Sequence, residues 1–175
     1  GGLDLHQATS GLCDFNHFNT MKKSLYIALA VSVLMTGCAS VDMASKEQSA
    51  KAKEYQLPPE GKAGVYLYRN SALGQALSKD LRIDGNCVGA SAPNVFFYTQ
   101  VDGGKKHVVE TESEFSPNKM EVMFESGKNY FIRQFIKLGA FVGGADLEQV
   151  SEAQGKADVA KLEMAQGGKC RPPAK

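Results

Sequence analysis

From Gly61 onward the chain repeats one signal: short runs of alternating apolar and polar residues, cut by turn-forming Gly, Asn and Asp. Residues two apart share a face of an extended strand, so this period of two specifies strands with distinct faces. In residues 63–68, Val65 and Leu67 fall on one face and Tyr66 and Tyr68 on the other. Leu81-Arg82-Ile83 and Cys87-Val88 flank Asp84-Gly85-Asn86, and an Asp-Gly step between apolar runs is a strong hairpin signal. A third run covers 95–101 and a fourth alternates through Val109, Thr111 and Ser113. Met120, Val122 and Phe124 line one face of the next, and Gly127-Lys128 turns the chain. Residues 130–138 are apolar on both faces, as expected of an interior strand.

Strand signals spaced by about 8 to 15 residues predict a mainly β fold, a small antiparallel β-sandwich. The end of the chain breaks the pattern. Ser151 followed three residues later by Gln154 fits a capping box and predicts a short C-terminal helix, weakened by Gly155 and stopped by Gly167-Gly168. The sandwich domain is placed at 61–166, with a tail at 167–175.

The start of the chain carries an address. After Met21, Lys22 and Lys23 form a basic segment, an uncharged, mostly apolar run follows to Thr36, and Gly37 precedes Cys38. The run is too short for a membrane-spanning helix, which takes about 20 apolar residues, and it has the flanks of a secretory signal. Leu34-Met35-Thr36-Gly37-Cys38 resembles the lipobox of bacterial lipoproteins, with Met35 where that motif usually carries Leu. The resemblance implies a lipoprotein signal peptide over 21–37. It also implies cleavage before Cys38 and lipidation of Cys38 with diacylglyceryl and palmitate-type acyl chains. Because Ala39, not Asp, follows the cysteine, it implies an outer-membrane anchor facing the periplasm. Several acyl chains on one cysteine hold a protein to a bilayer where one chain is marginal.

Residues 1–20 precede that signal without a Met and read as a spurious upstream extension, so His6, Cys13 and His17 are set aside. Residues 38–60 are polar, rich in Ala, Ser, Lys and Glu, and end in Pro58-Pro59; they read as the lipidated cysteine and a flexible tether. A short helix within 43–53 would have no apolar stripe to bury.

Gly61-Lys62-Ala63-Gly64-Val65-Tyr66-Leu67-Tyr68-Arg69, Ile83-Asp84-Gly85 with Val88-Gly89, Phe97-Tyr98, and the stretch from Gly127 to Gln134 together resemble a family of bacterial lipoprotein domains known as domain of unknown function 2846. The likeness covers about residues 61–155. A Pro-Gly-x-His turn frequent in such domains is replaced by Asp102-Gly103-Gly104-Lys105-Lys106-His107. The resemblance implies a small β-sandwich of the cell envelope and no established activity.

Chemistry-bearing residues are sparse. A net charge of +1 across 175 residues argues against a nucleic-acid partner, which needs a basic stripe to displace counterions. Hydrophobic residues at 43% are enough for a core. With Cys38 lipidated, Cys87 and Cys170 remain as a candidate disulfide in an oxidising periplasm; the alternative is two free thiols. His107 opens a strand without a Ser elbow near it in sequence, and its reading is structural. Neither zinc-ligand spacing nor a cofactor motif is present in the mature sequence.

Glu110, Glu112 and Glu114 share a strand face, read as solvated and outward. Tyr66, Tyr68, Tyr98 and Phe141 are candidates for a binding surface, against the alternative of packing. The expected function is non-enzymatic binding or scaffolding of an envelope protein or glycan by an anchored domain. The competing reading is a cell-wall enzyme acting on peptidoglycan or glycan through the strand carboxylates.

Overall fold

The period-two runs become strands at the expected places, and the faces they define are the faces that pack. The computed structural model describes residues 40–113, 115–139 and 143–171; Cys38, Glu114 and Phe141 lie outside these. In chain order the elements are α1 (Lys46–Ala52), β1 (Lys62–Arg69), β2 (Lys79–Ile83), β3 (Asn86–Ser91), β4 (Val95–Asp102) and β5 (Lys105–Thr111). There follow β6 (Asn118–Phe124), β7 (Asn129–Lys137), β8 (Gly144–Val150), α2 (Glu152–Val159) and β9 (Glu163–Met164). They form a five-stranded sheet in the order β8-β7-β1-β4-β9 and a four-stranded sheet in the order β3-β2-β5-β6.

β1 is the middle strand of the larger sheet, and its two faces build two cores. Val65 and Leu67 point between the sheets, where they meet Leu81, Val109, Phe124 and Ile132. Tyr66 and Tyr68 point the other way, into a second cluster with Ala52, Phe96, Phe131 and Val159 beneath the two helices. Burying each aliphatic side chain this completely contributes about 2 kcal/mol. The β2–β3 hairpin turns at Asp84 (φ 51°) and Gly85 (φ 77°), the two positive φ angles that a type I′ turn requires.

Four expectations need correction. The larger sheet is mixed rather than antiparallel, because β1 pairs with β7 and β4 with β9 in parallel. No strand is expected between residue 138 and Ser151, yet β8 pairs antiparallel with β7 from Lys137↔Gly144 to Phe131↔Val150.

The stretch expected to be a free tether is docked on the sheet. Ser45 and Gln48 form a full capping box on α1. Ser49 Oγ donates to Glu163 Oε2 at 2.9 Å and accepts from the Met164 N–H at 3.1 Å. The Tyr66 hydroxyl donates to the Ala52 carbonyl at 2.7 Å. An apolar stripe is unnecessary where small residues let a helix approach closely and hydrogen bonds fix it.

The tail is also tied down. The Gly168 N–H donates to the Val88 carbonyl at 2.8 Å, Arg171 N donates to Asp80 Oδ2 at 2.8 Å, and Cys170 is bonded to Cys87.

Gly155, which weakens α2 as an isolated helix, is what allows α2 to dock. A Cβ built there would lie 2.2 Å from Cγ of Phe131, a side chain 1% exposed. Alanine would gain about 1 kcal/mol in helix propensity and lose about 1–3 kcal/mol or more by overpacking. We expect Gly155→Ala to lower stability by about 1–2 kcal/mol in urea unfolding; a variant as stable as the parent or more so would show that the helix backs away freely.

Candidate functional site

The candidate chemical groups among the described residues are held by neighbouring side chains and backbone. His107, at the start of the inward face of β5, is 3% exposed. Its Nδ1 lies 2.6 Å from Asp84 Oδ2 and its Nε2 2.8 Å from the Asp102 carbonyl oxygen. The ring therefore joins the β2–β3 turn to the β4–β5 turn. The Val108 N–H, donating to Asp84 Oδ1 at 2.9 Å, and then His107 hold the Asp84 carboxyl below the usual carboxylate range. Hydrogen bonds from Lys62 at 2.8 Å and Lys105 at 3.0 Å bring Asp102 down to about 2.

Glu110 stands on the face of β5 opposite Val109, but its side chain is only 16% exposed instead of solvated, and Glu112 lies just past the end of the strand. Lys119 Nζ is 2.7 Å from Glu110 Oε1, and Arg171 pairs with Glu112.

Tyr66 and Tyr68 are not a surface. They are 1% and 0% exposed, stacked under the helices. Tyr66 lies 4.7 Å from the Phe131 ring in a parallel stack, and the Tyr68 hydroxyl donates to Asp158 Oδ2 at 2.7 Å. Burial pushes both phenols well above their ordinary value. Each tyrosine hooks one helix to β1, so the expected binding surface at these two positions is replaced by an internal face. Tyr98, one strand over, stays half-buried at the rim.

Tyr98 marks the feature that sequence reasoning missed. β9 pairs with β4 only at Val95 and Phe96, and then leaves the sheet. The outer edge of β4 from Tyr98 to Asp102 has no strand beside it among the described residues. A groove of about 570 Å³ runs along one side of this edge, floored by Ile83, Val88, Phe97 and Val101 and rimmed by Lys62 and Lys105. A second groove, of about 530 Å³, lies on the other side, between the sheet and the α1–β1 connection, with Lys51, Ala52, Leu57 and Pro59 in its lining. Tyr98, Gln100 and Met164 line both. Leu57 is 70% exposed there, an apolar side chain at the rim of a groove. The edge is invisible in sequence because it exists only where β9 falls short.

Among the described residues no cluster of His, Cys, Asp and Glu could hold a metal ion, and no helix is long and apolar enough to cross a membrane.

Comparison with known proteins places these elements in context. The family model described as "Protein of unknown function (DUF2846)" matches residues 59–145, which takes in β1 to β7 and the exposed part of β4. A protein of Haemophilus influenzae (strain ATCC 51907 / DSM 11121 / KW20 / Rd), described as "Uncharacterized protein", is 53% identical over 137 residues, 78% of this chain and 81% of that one. No solved structure matches.

Proposed function

The chain belongs to the DUF2846 family, and from that premise we propose that it is an envelope lipoprotein whose domain binds or scaffolds a partner without catalysing a reaction. The observation that carries this reading is the Cys87–Cys170 disulfide, with Cα atoms 5.9 Å apart and 83 residues between them in sequence. A bond of this kind belongs to oxidising compartments such as the periplasm. It pairs the two cysteines left once Cys38 is taken as the lipid attachment site and Cys13 is set aside with the upstream stretch.

Two further observations support the reading. Leu34 to Cys38 resembles a lipobox, and acyl chains on Cys38 would hold the domain at the outer membrane, facing the periplasm. Of the carboxylates on which wall hydrolysis would depend, Glu110 and Glu112 are engaged by Lys119 and Arg171, and Glu114 lies outside the described residues. An open strand edge flanked by two grooves suits recognition.

The test is the intact mass of the membrane fraction from cells producing the chain, beside Cys38→Ser. A species cleaved before Cys38 and carrying acyl chains is expected, with the variant shifting to the soluble fraction. An unmodified soluble parent protein overturns the anchor.

A further inference from the structure

We propose that the outer edge of β4 is a receptor for a single extended polypeptide segment, which adds as a strand between the two grooves. The inference deepens the binding-module reading and rests on it.

The backbone supplies the first argument. Ala165 N–H donates to the Phe96 carbonyl at 2.9 Å, so the polar groups of Phe96 face outward from β1. Gly64, opposite Gln100, turns its N–H to Lys128 on the β7 side at 2.9 Å. By the alternation of an antiparallel ladder, Tyr98 and Gln100 therefore direct both N–H and C=O to the open edge. Such groups are a template for an added strand.

The grooves supply the second. Successive side chains of a strand point to opposite faces, and here each face of the open edge has its own groove, the two meeting at Tyr98 and Gln100. A strand on this edge would place one side chain over Val88 and Phe97 and the next over Leu57 and Pro59.

The chain itself supplies the third. Residues 163–165 already occupy the first part of this edge as a parallel strand. They depart where Gly168 bonds to Val88, leaving the rest of the edge to a segment of the same kind.

The occupant follows from the walls and the charges. The C-terminal segment at Gly167 and Gly168 walls one groove and the α1–β1 connection walls the other. A lone strand fits between these walls, whereas the edge of a second copy brings the same walls with it. In the first groove Lys62 and Lys105 share the carboxylate of Asp102 and Asp84 lies against His107, so recognition there rests on backbone bonds and apolar contact; in the second, Lys51 stands beside Leu57 and Pro59. The segment is extended, with large apolar side chains at two neighbouring positions.

The probe is a phage-displayed random dodecapeptide library panned on the full, disulfide-bonded chain, with the enriched peptides then synthesised. Peptides with two adjacent large apolar residues should emerge, and should slow amide exchange at Tyr98, Gln100 and Asp102. Gln100→Pro removes an outward N–H at an edge position where proline fits; it should weaken binding by about tenfold or more with an unchanged melting temperature. Gln100→Ala removes the groove-lining side chain but keeps the N–H, and should weaken binding less than Gln100→Pro does.

Four outcomes overturn the proposal. They are no enrichment over an uncoated surface, binding indifferent to Gln100→Pro in a folded variant, edge amides already protected in the free chain, and a dimer in sedimentation that Gln100→Pro dissolves. None depends on acylation, so peptide capture by a protein that proves soluble and unmodified would sink the anchor and leave the receptor edge standing.

Discussion

Replacing both Cys87 and Cys170 by serine should lower stability by about 4 kcal/mol, the loop-entropy value for a closure of this length. For a domain of this size that corresponds to a fall in melting temperature of roughly 15 °C. The bond ties β3, an edge strand of the smaller sheet, to the last described residues of the chain. Around it the C-terminal segment is held at several points. Gly168 bonds to Val88, Arg171 pairs with Glu112 and donates to Ser78, and Lys169 pairs with Asp42. These contacts lie mostly at the surface, where each ion pair contributes little. The covalent link keeps them together by restricting the unfolded chain.

Two controls separate the link from the residues. Cys170→Ser alone should match the double variant, and reductant should destabilise the parent but leave the double variant unchanged. Amide exchange at Gly168 and Arg171 should rise in both. A loss below about 1 kcal/mol would mean that the surface contacts hold the segment unaided.

Arg69→Ala should cost a comparable amount, about 2–5 kcal/mol, because it leaves carbonyl acceptors without their donor. Arg69 ends β1 with its side chain 0% exposed, and burial pulls its guanidinium below the usual value. Nη1 donates to the Leu77 carbonyl at 2.7 Å, and Nη2 to the carbonyls of Leu73 and Gly74 at 2.8 and 2.6 Å. The planar fork thus closes the connection between β1 and β2 around itself. Gly74 also accepts from Leu77 N at 2.8 Å, so it is Leu73 and Leu77 that would be left bare.

Lysine offers one point charge in place of a fork and should recover less than half of the loss. Methionine, which fills much of the volume without a donor, separates packing from hydrogen bonding. The measurements are urea unfolding and proteolysis within 70–77, where cleavage should quicken in all three variants. An Arg69→Met protein as stable as the parent would mean that burying the charge costs as much as its three bonds return.

Several features were legible because they are local. The split of Val65 and Leu67 from Tyr66 and Tyr68 follows from the pleat and holds in the two cores. The turn at Asp84-Gly85 needed only the backbone freedom of those two residues. The Ser151 cap on α2 was visible and its Oγ accepts from Gln154 N at 3.3 Å, whereas the full capping box belongs to α1. That helix was passed over as a tether because Ser49 and Ala52 dock by close approach instead of by a stripe. β8 was missed because Glu148 and Gln149 sit among its apolar residues and glycines precede it.

Period, turn chemistry and cysteine count by themselves determined a mainly β domain with two faces to each strand and a pair of cysteines to join. They could not determine what lies over a face. An aromatic strand face reads the same whether a helix or a ligand covers it, and only packing assigned Tyr66 and Tyr68 to the helices and left Tyr98 at the rim. The parallel pairing of β1 with β7 and the early departure of β9 from β4 are likewise long-range choices. They depend on which of several compatible edges buries the most surface with its hydrogen bonds satisfied. The open edge of β4 is a product of that choice, and so it entered with the tertiary structure.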